Sequence, residues 1–447
     1  MEEQLQDQEL TGIKLDDFFQ TEYINYSVYD NIRKIASVAD GLKNASRKIV
    51  HTVLDKNINS FTKVSNLAPQ IQAHTMYLHG SIEGTVVNLA KNYVGANNIP
   101  LLDGKGNFGS AFINDASATR YIEAKKATVL DRLFNSEDTV NLHHQAFEGV
   151  DIEPRFFIPI VPLLAINGSD GVSVGFAQKI LPRRLENILE WVRAKNKGKA
   201  MPAPSPYYNG MSCTITPGLT PGQWVISGAF TRVNQTTYTI DALPVGYNLK
   251  QYQNVLDKLV DDKVIKSYDD LSDNDVFLFE VKTDREFSKH SDDKILDIFK
   301  LVKKVTENYT CIDENNKIVE YQSLEEILEA WYRLRIDYND LRKKSTLAKL
   351  NKTLDFSQLK YDFIQAVIDN KLVINRREDK DIKQDFVSLF TETAEEHYDK
   401  LMTIPVKQFS KKEIDRLNRV IVDTKKQIKD LTATSLEKLL DDDLDNL

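Results

Sequence analysis

A multidomain α+β chain that ends in a long antiparallel helix pair is the architecture this sequence predicts, and three observations carry it. The chain has 447 residues, too many for one ordinary hydrophobic core, so about two to four domains are expected. Its texture changes near residue 166, from helical stripes and glycine-rich loops to short β-prone runs alternating with helical ones. Its last third spaces apolar residues three and four apart through charge-rich stretches, the period of a helix–helix seam.

The elements follow in order. Over residues 22–60, Tyr26, Val28, Ile32, Ile35 and Val38 recur at helical spacing, as do Ile49, Val50, Val53 and Leu54, with Asp40-Gly41 as the turn between them. Residues 63–78 predict another amphipathic helix, with Val64, Leu67, Ile71 and Met76 on one side. The Gly- and Asn-rich stretch 94–120 reads as loops with short strands, and Pro154, Pro159 and Pro162 then impose extended chain. From about 166 to 320, runs such as Tyr238-Thr239-Ile240 and Val276-Phe277-Leu278-Phe279 predict strands and residues 250–260 a helix, which together make an α/β domain. Ser323 and Glu326 have capping-box spacing, and Trp331, Leu334, Tyr338 and Leu341 follow them at three- and four-residue steps. Ile414, Leu417, Ile421, Thr424, Ile428 and Leu431 repeat that pattern. Two such helices around a compact helical patch predict an antiparallel pair with a knob between them.

Composition narrows the function classes. The apolar fraction of 41% and charged fraction of 28% are those of a folded protein. No run approaches the ~20 apolar residues that span a bilayer, and the acidic start MEEQLQDQEL is no presequence. Cys213 and Cys311 make neither a disulfide framework nor a zinc site, so a cytoplasmic protein is expected. Net charge is −8, yet residues 31–60 hold Arg33, Lys34, Lys43, Arg47, Lys48 and Lys56 against only Asp40 and Asp55. With Asp441, Asp442, Asp443 and Asp445 at the other end, that distribution fits nucleic-acid binding confined to one end.

Gly104, Gly106 and Gly109 spell G-x-G-x-x-G, but SAFINDASATRY does not open as the helix a dinucleotide site needs. No G-x-x-x-x-G-K-[ST] phosphate loop occurs, and neither histidines nor carboxylates are spaced as a metal site. Arg120-Tyr121, within DASATRYIEAK, carries the chemistry. A phenol ionises only near pH ~10, so a nucleophilic tyrosine needs a base or a cation beside it. An adjacent arginine can clamp phosphate oxygens and stabilise transition-state charge.

Asp40-Gly41-Leu42-Lys43 with Arg47-Lys48 resembles the DGLKPxxRR/K signature of type IIA DNA topoisomerases. Lys63 to Gly80, NNIPLLDGKGNFGS, ATRYIEAK and Ile166 to Ala177 resemble further motifs of that family, in its order. DALPVG, EILEAWYRLRIDYNDLRKK and YDKLMTIPVKQFSKKEIDRL extend the resemblance over almost the whole chain. The chain departs from the family at Asn44, where proline is usual, at Leu78, usually histidine, and at Val172, usually isoleucine. Its extent, ending after the helix pair, is most similar to that of the medium subunit of T-even-type phage topoisomerases, which would place it in the host cytoplasm.

The resemblance implies an N-terminal arm over 1–29, a winged-helix DNA-cleavage domain over 30–165, a tower-like domain over 166–325, and a coiled coil with a dimerising knob, the C-gate, over 326–447. It implies Tyr121 as nucleophile on double-stranded DNA, Arg120 on the scissile phosphate, and His79 and Arg47 beside it. Lys43, Lys48 and Lys63, with Arg47, would bind neighbouring phosphates, and Val172 would wedge between base pairs. Mg²⁺ and ATP would belong to a partner, one chain or two, carrying TOPRIM and ATPase domains. Two other classes share some of these features: a non-catalytic helix-turn-helix DNA-binding protein and a tyrosine recombinase. Metal-dependent double-strand cleavage with protein on the 5′ ends separates all three.

Overall fold

The computed structural model describes residues 15–390 and 392–447, so the first fourteen residues of the expected N-terminal arm lie outside the described residues. The chain divides into two compact units, one made of residues up to Ser136, Leu142–Arg335 and Asp441–Leu447, the other of Glu137–Asn141 and Ile336–Leu440.

In the first unit, helices Ile24–Lys34, Asn44–Asp55 and Val64–Thr75 fall where the helical period placed them, except that the first ends at Lys34 and leaves Ile35 and Val38 of its expected stripe beyond it; helix Glu83–Ala90 was not expected. Ile49, Val50, Val53, Val64, Leu67 and Ile71 are fully buried, the core those stripes predicted. Two expected faces differ. Met76 leaves the helix as a left-handed C-cap with φ 49° and is exposed. Helix Ile24–Lys34 buries Asp30 and Asn31, while Tyr26 and Val28 face outward. The reason is its neighbour: Asp30 accepts from Ser173 Oγ at 2.9 Å and Asn31 Nδ2 donates to the Val174 carbonyl at 3.2 Å, so this helix packs by polar contacts.

A three-stranded antiparallel sheet follows, with Glu123–Lys126 between Thr62–Lys63 and Leu102–Lys105. Side chains alternate along the central strand: Ala124 and Lys126 are buried, and Glu123 faces its cross-strand neighbours Lys63 and Lys105. The G-x-G-x-x-G run is the end of a strand and a loop, with no helix opening in it. Gly104 is required there because a Cβ would stand 2.7 Å from the Phe108 ring.

Beyond residue 166 a hairpin pairs Ser169–Val172 with Ala177–Ile180. A four-stranded antiparallel sheet, ordered Ala229–Arg232, Thr237–Ala242, Phe279–Lys282, Ser267–Asp270, packs helix Leu249–Asp261 through Tyr238, Ile240, Tyr252, Leu256 and Phe279. A second sheet sets Gln223–Ser227 between Val302–Thr306 and Thr214–Pro217. The strand expected from Val276 starts only at Phe279: Asp273 and Val276 exchange backbone hydrogen bonds across the Asn274-Asp275 turn, and the Leu278 amide then donates to Ser272 Oγ, which interrupts the ladder.

Ser323 Oγ accepts from the Glu326 amide at 3.3 Å and starts the 45-residue helix Leu324–Ile368, about 67 Å of helix at 1.5 Å per residue. In the second unit, Lys343 Nζ donates to the Thr432 and Thr434 carbonyls and Lys360 pairs with Glu413. The later helix, Lys411–Ala433, therefore runs antiparallel to the first, burying Leu417, Ile421 and Thr424 of the expected stripe. Helices Asp379–Phe390 and Tyr398–Met402 close a separate core there with Phe363, Ile364, Phe386 and Leu401.

Candidate active site around Tyr121

Tyr121 sits one residue before the buried Ile122, at the mouth of the central strand Glu123–Lys126. Backbone hydrogen bonds fix that segment to the first turn of helix Val64–Thr75: Val64 N–H donates to the Ile122 carbonyl at 3.1 Å and Ser65 N–H to the Thr119 carbonyl at 3.3 Å. Thr119 Oγ1 also donates to Glu83 at 2.9 Å, which braces the loop from helix Glu83–Ala90. With Ile122 sunk in the core on one side, strand alternation turns Tyr121 outward, and the residue is 65% exposed.

The Arg120 guanidinium lies over the Tyr121 ring, 4.7 Å from its centroid. A cation on a ring face is attracted by the π-system. Lys63 Nζ donates to the Tyr121 carbonyl at 3.4 Å and pairs with Glu123 at 3.0 Å, while Lys105 reaches Glu123 at 3.3 Å. Lys63 and then Lys105 hold the Glu123 carboxyl below the usual carboxylate range. Lys105, Glu123 and Thr119 were not singled out from sequence. The pairing of Lys63, Lys105 and Glu123 was in principle readable from alternation across a short sheet, had its register been known.

The other expected site residues have surroundings of their own. His79 is exposed on the turn after helix Val64–Thr75, its Nε2 hydrogen-bonded to the Tyr29 hydroxyl and its ring edge-on to Tyr77 at 5.7 Å. Val172 ends its strand with its side chain 74% exposed. Lys43 donates to the Asp170 carbonyl at 2.6 Å, beside that hairpin, and burial lowers its ammonium pKa against the raising effect of Asp170.

Arg47 and Lys48, expected to bind phosphates, are also held by groups of the protein itself. They are 5% and 7% exposed, and each is paired inside the fold. Asp40, fully buried, accepts from Arg47 Nε at 2.7 Å and Nη2 at 3.1 Å, and from the Leu42 and Phe157 amides at 2.9 and 3.0 Å. Lys48 pairs with Glu153 at 2.7 Å and caps the Thr75 carbonyl at 2.8 Å. Gly41 completes this knot with φ +68°, where a Cβ would stand 2.4 Å from the Leu164 nitrogen. The D-G-L-K signature is thus a folded turn that positions its neighbours.

Three histidines that sequence spacing left scattered converge: His51 stacks on His74 at 5.1 Å and meets His144 edge-on at 5.7 Å. Burial first, then His74, pushes the His51 imidazole down to about 4. Among the described residues no group of three or more His, Cys, Asp or Glu side chains is arranged to hold a metal ion, and no helix is long and apolar enough to cross a membrane.

Known proteins share this fold. The family model for the A-type subunit of DNA gyrase/topoisomerase IV matches residues 33–445. The chain is 30% identical over 457 residues to the mitochondrial DNA topoisomerase 2 of Dictyostelium discoideum, covering 99% of this chain and 35% of that protein. It is 28% identical over 438 residues to the DNA topoisomerase 2 of Invertebrate iridescent virus 6, covering 95% and 38%. The chain spans about a third of the length of the curated relatives it matches. The crystal structure of the Plasmodium falciparum topoisomerase II DNA-binding, cleavage and re-ligation domain superposes with a TM-score of 0.85 at 26% identity, covering 96% of this chain and 63% of that one. By its mixed helix-and-sheet fold and by a match over most of its length, this chain belongs to the family of DNA gyrase/topoisomerase IV A-type subunits.

Proposed function

We propose that this chain is the DNA-breaking and rejoining component of a type IIA topoisomerase, with Tyr121 as its nucleophile. The observation that carries the reading is an exposed tyrosine on a backbone-anchored loop, with the Arg120 guanidinium 4.7 Å from its ring. The Tyr121 oxygen bonds to phosphorus, the bond from phosphorus to the 3′ oxygen breaks, and the phenol proton ends on the departing 3′ hydroxyl. The 5′-phosphotyrosyl bond keeps the energy of the phosphodiester, so the reverse attack reseals the strand. Arg120 holds the non-bridging oxygens and stabilises their charge. His79 hydrogen-bonds the same phosphate. Lys63 and Lys43 bind neighbouring phosphates, whereas Arg47 and Lys48 act from inside, by holding the turn and the end of helix Val64–Thr75.

In this reading two copies cut both strands of one duplex. The helices and sheet around Tyr121 form a winged-helix cleavage domain, residues 30–165, and 166–325 the tower-like domain. Residues 326–447 form the coiled coil and C-gate that hold the dimer together. Val172, exposed at its hairpin end, wedges into the duplex. ATP and Mg²⁺ are bound by an ATPase/TOPRIM partner of one or two chains, the organisation of a T-even-type phage enzyme. Tyr121→Phe removes one exposed hydroxyl, so folding and duplex binding persist while covalent attachment ends. Detergent trapping of protein–DNA adducts in the enzyme reconstituted with its partner, Mg²⁺ and ATP is the test. Adducts from the variant would overturn the assignment.

A further inference from the structure

Helix Ile24–Lys34 serves two neighbours from one turn. Asp30 and Asn31 fasten it to Ser173 and Val174, the residues just after Val172. Tyr29, one residue earlier and about 100° round the helix from Asp30, takes the His79 side chain instead. The Tyr29 hydroxyl meets His79 Nε2, the nearer ring nitrogen, with Nδ1 at 3.4 Å; the two rings stand 5.5 Å apart at 47°, and the Arg33 guanidinium lies 6.0 Å from the Tyr29 ring centroid. His79 is otherwise exposed on a loop, where an imidazole turns freely and exchanges its proton between two nitrogens. A neutral imidazole has one donor nitrogen and one acceptor nitrogen, and the group bonded to one decides the role of the other.

We propose that Tyr29 is the positioning residue for His79: by donating its hydroxyl proton to Nε2 it keeps the ring proton on Nδ1 and offers that N–H to the phosphate. This rests on the reading of His79 as a phosphate contact. Tyr29 itself touches no DNA; it acts through the ring it orients. Its attachment through Asp30 and Asn31 to the Val172 hairpin gives the histidine a footing on the same element that carries the wedge.

Tyr29→Phe keeps the ring and deletes the hydroxyl. In ¹⁵N-histidine spectra of the full chain without DNA, His79 is expected mainly as the Nδ1–H tautomer, and to relax toward the ratio of a free imidazole in the variant. In the reconstituted enzyme the cleavage rate at saturating DNA should fall about three- to tenfold, the worth of one hydrogen bond, with KM unchanged. An unchanged His79 spectrum, or a loss wholly in KM, would overturn the proposal. His79→Ala separates the two readings. Full cleavage by it would sink the site assignment and this proposal together. Normal cleavage by Tyr29→Phe, in an enzyme that His79→Ala disables, would sink this proposal alone.

Discussion

Arg47 and Arg120 are alike as letters and opposite as groups. Arg120 stands in solvent over Tyr121, while Arg47 is locked to a fully buried Asp40 that also takes two backbone amides. Removing one partner of a buried pair strands the other charge, at about 3–5 kcal/mol, whereas an exposed substitution stays within about 0.5 kcal/mol. Arg47→Ala should therefore lower the urea midpoint sharply, and Arg120→Ala should leave it in place while ending cleavage. Equal midpoints for both variants would refute the distinction. The contact of Arg120 with Tyr121 was legible in sequence because the two residues are adjacent along the chain. The burial of Arg47 was not, because its partner's other ligand, the Phe157 amide, is 117 residues away from Asp40.

Helical periods reveal that helices exist more reliably than which way they face. The stripe over Lys411–Ala433 pointed inward as spaced. In Leu324–Ile368 the expected Leu341 is exposed, and Arg335, Asn339 and Arg342 are buried in its place. Arg335 Nη1 donates to the Ile158 carbonyl at 2.7 Å, a partner no periodicity encodes. Where the antiparallel pair begins its return, Glu413 accepts from Arg416 at 2.6 and 2.8 Å and from Lys360 at 3.1 Å. Arg416 chiefly, then Lys360 against the effect of burial, pulls its carboxyl down from an ordinary 4.5 to about 2. A carboxyl depressed by folding lends stability that is whole above its unfolded value and is lost as the pH falls through the folded one. The melting-temperature advantage of wild type over Glu413→Gln should thus be constant above pH ~5 and shrink toward zero near pH ~2. A difference that ignores pH in that window would rule out the pairing as its source.

For the whole molecule, net charge of −8 hides where the positive charge is spent. Of the six cations in residues 31–60, Lys34, Arg47 and Lys48 already face Asp30, Asp40 and Glu153 at 3.0, 2.7 and 2.7 Å. A cation neutralised by a carboxylate displaces no condensed counterion from a duplex, so it adds nothing to the dependence of affinity on ionic strength. Each phosphate that is neutralised steepens log K against log salt by about 0.9. Arg120→Ala should then flatten that slope by about one unit, while Lys48→Met combined with Glu153→Gln, which removes the internal pair together, should leave it unchanged. Duplex binding followed by fluorescence anisotropy across a KCl series measures both slopes, and an equal loss in the double variant would place Lys48 on the DNA. With those internal pairs intact, the basic N-terminal stretch would grip the duplex through fewer ions than its lysines and arginines suggest, and lose less of that grip as salt rises.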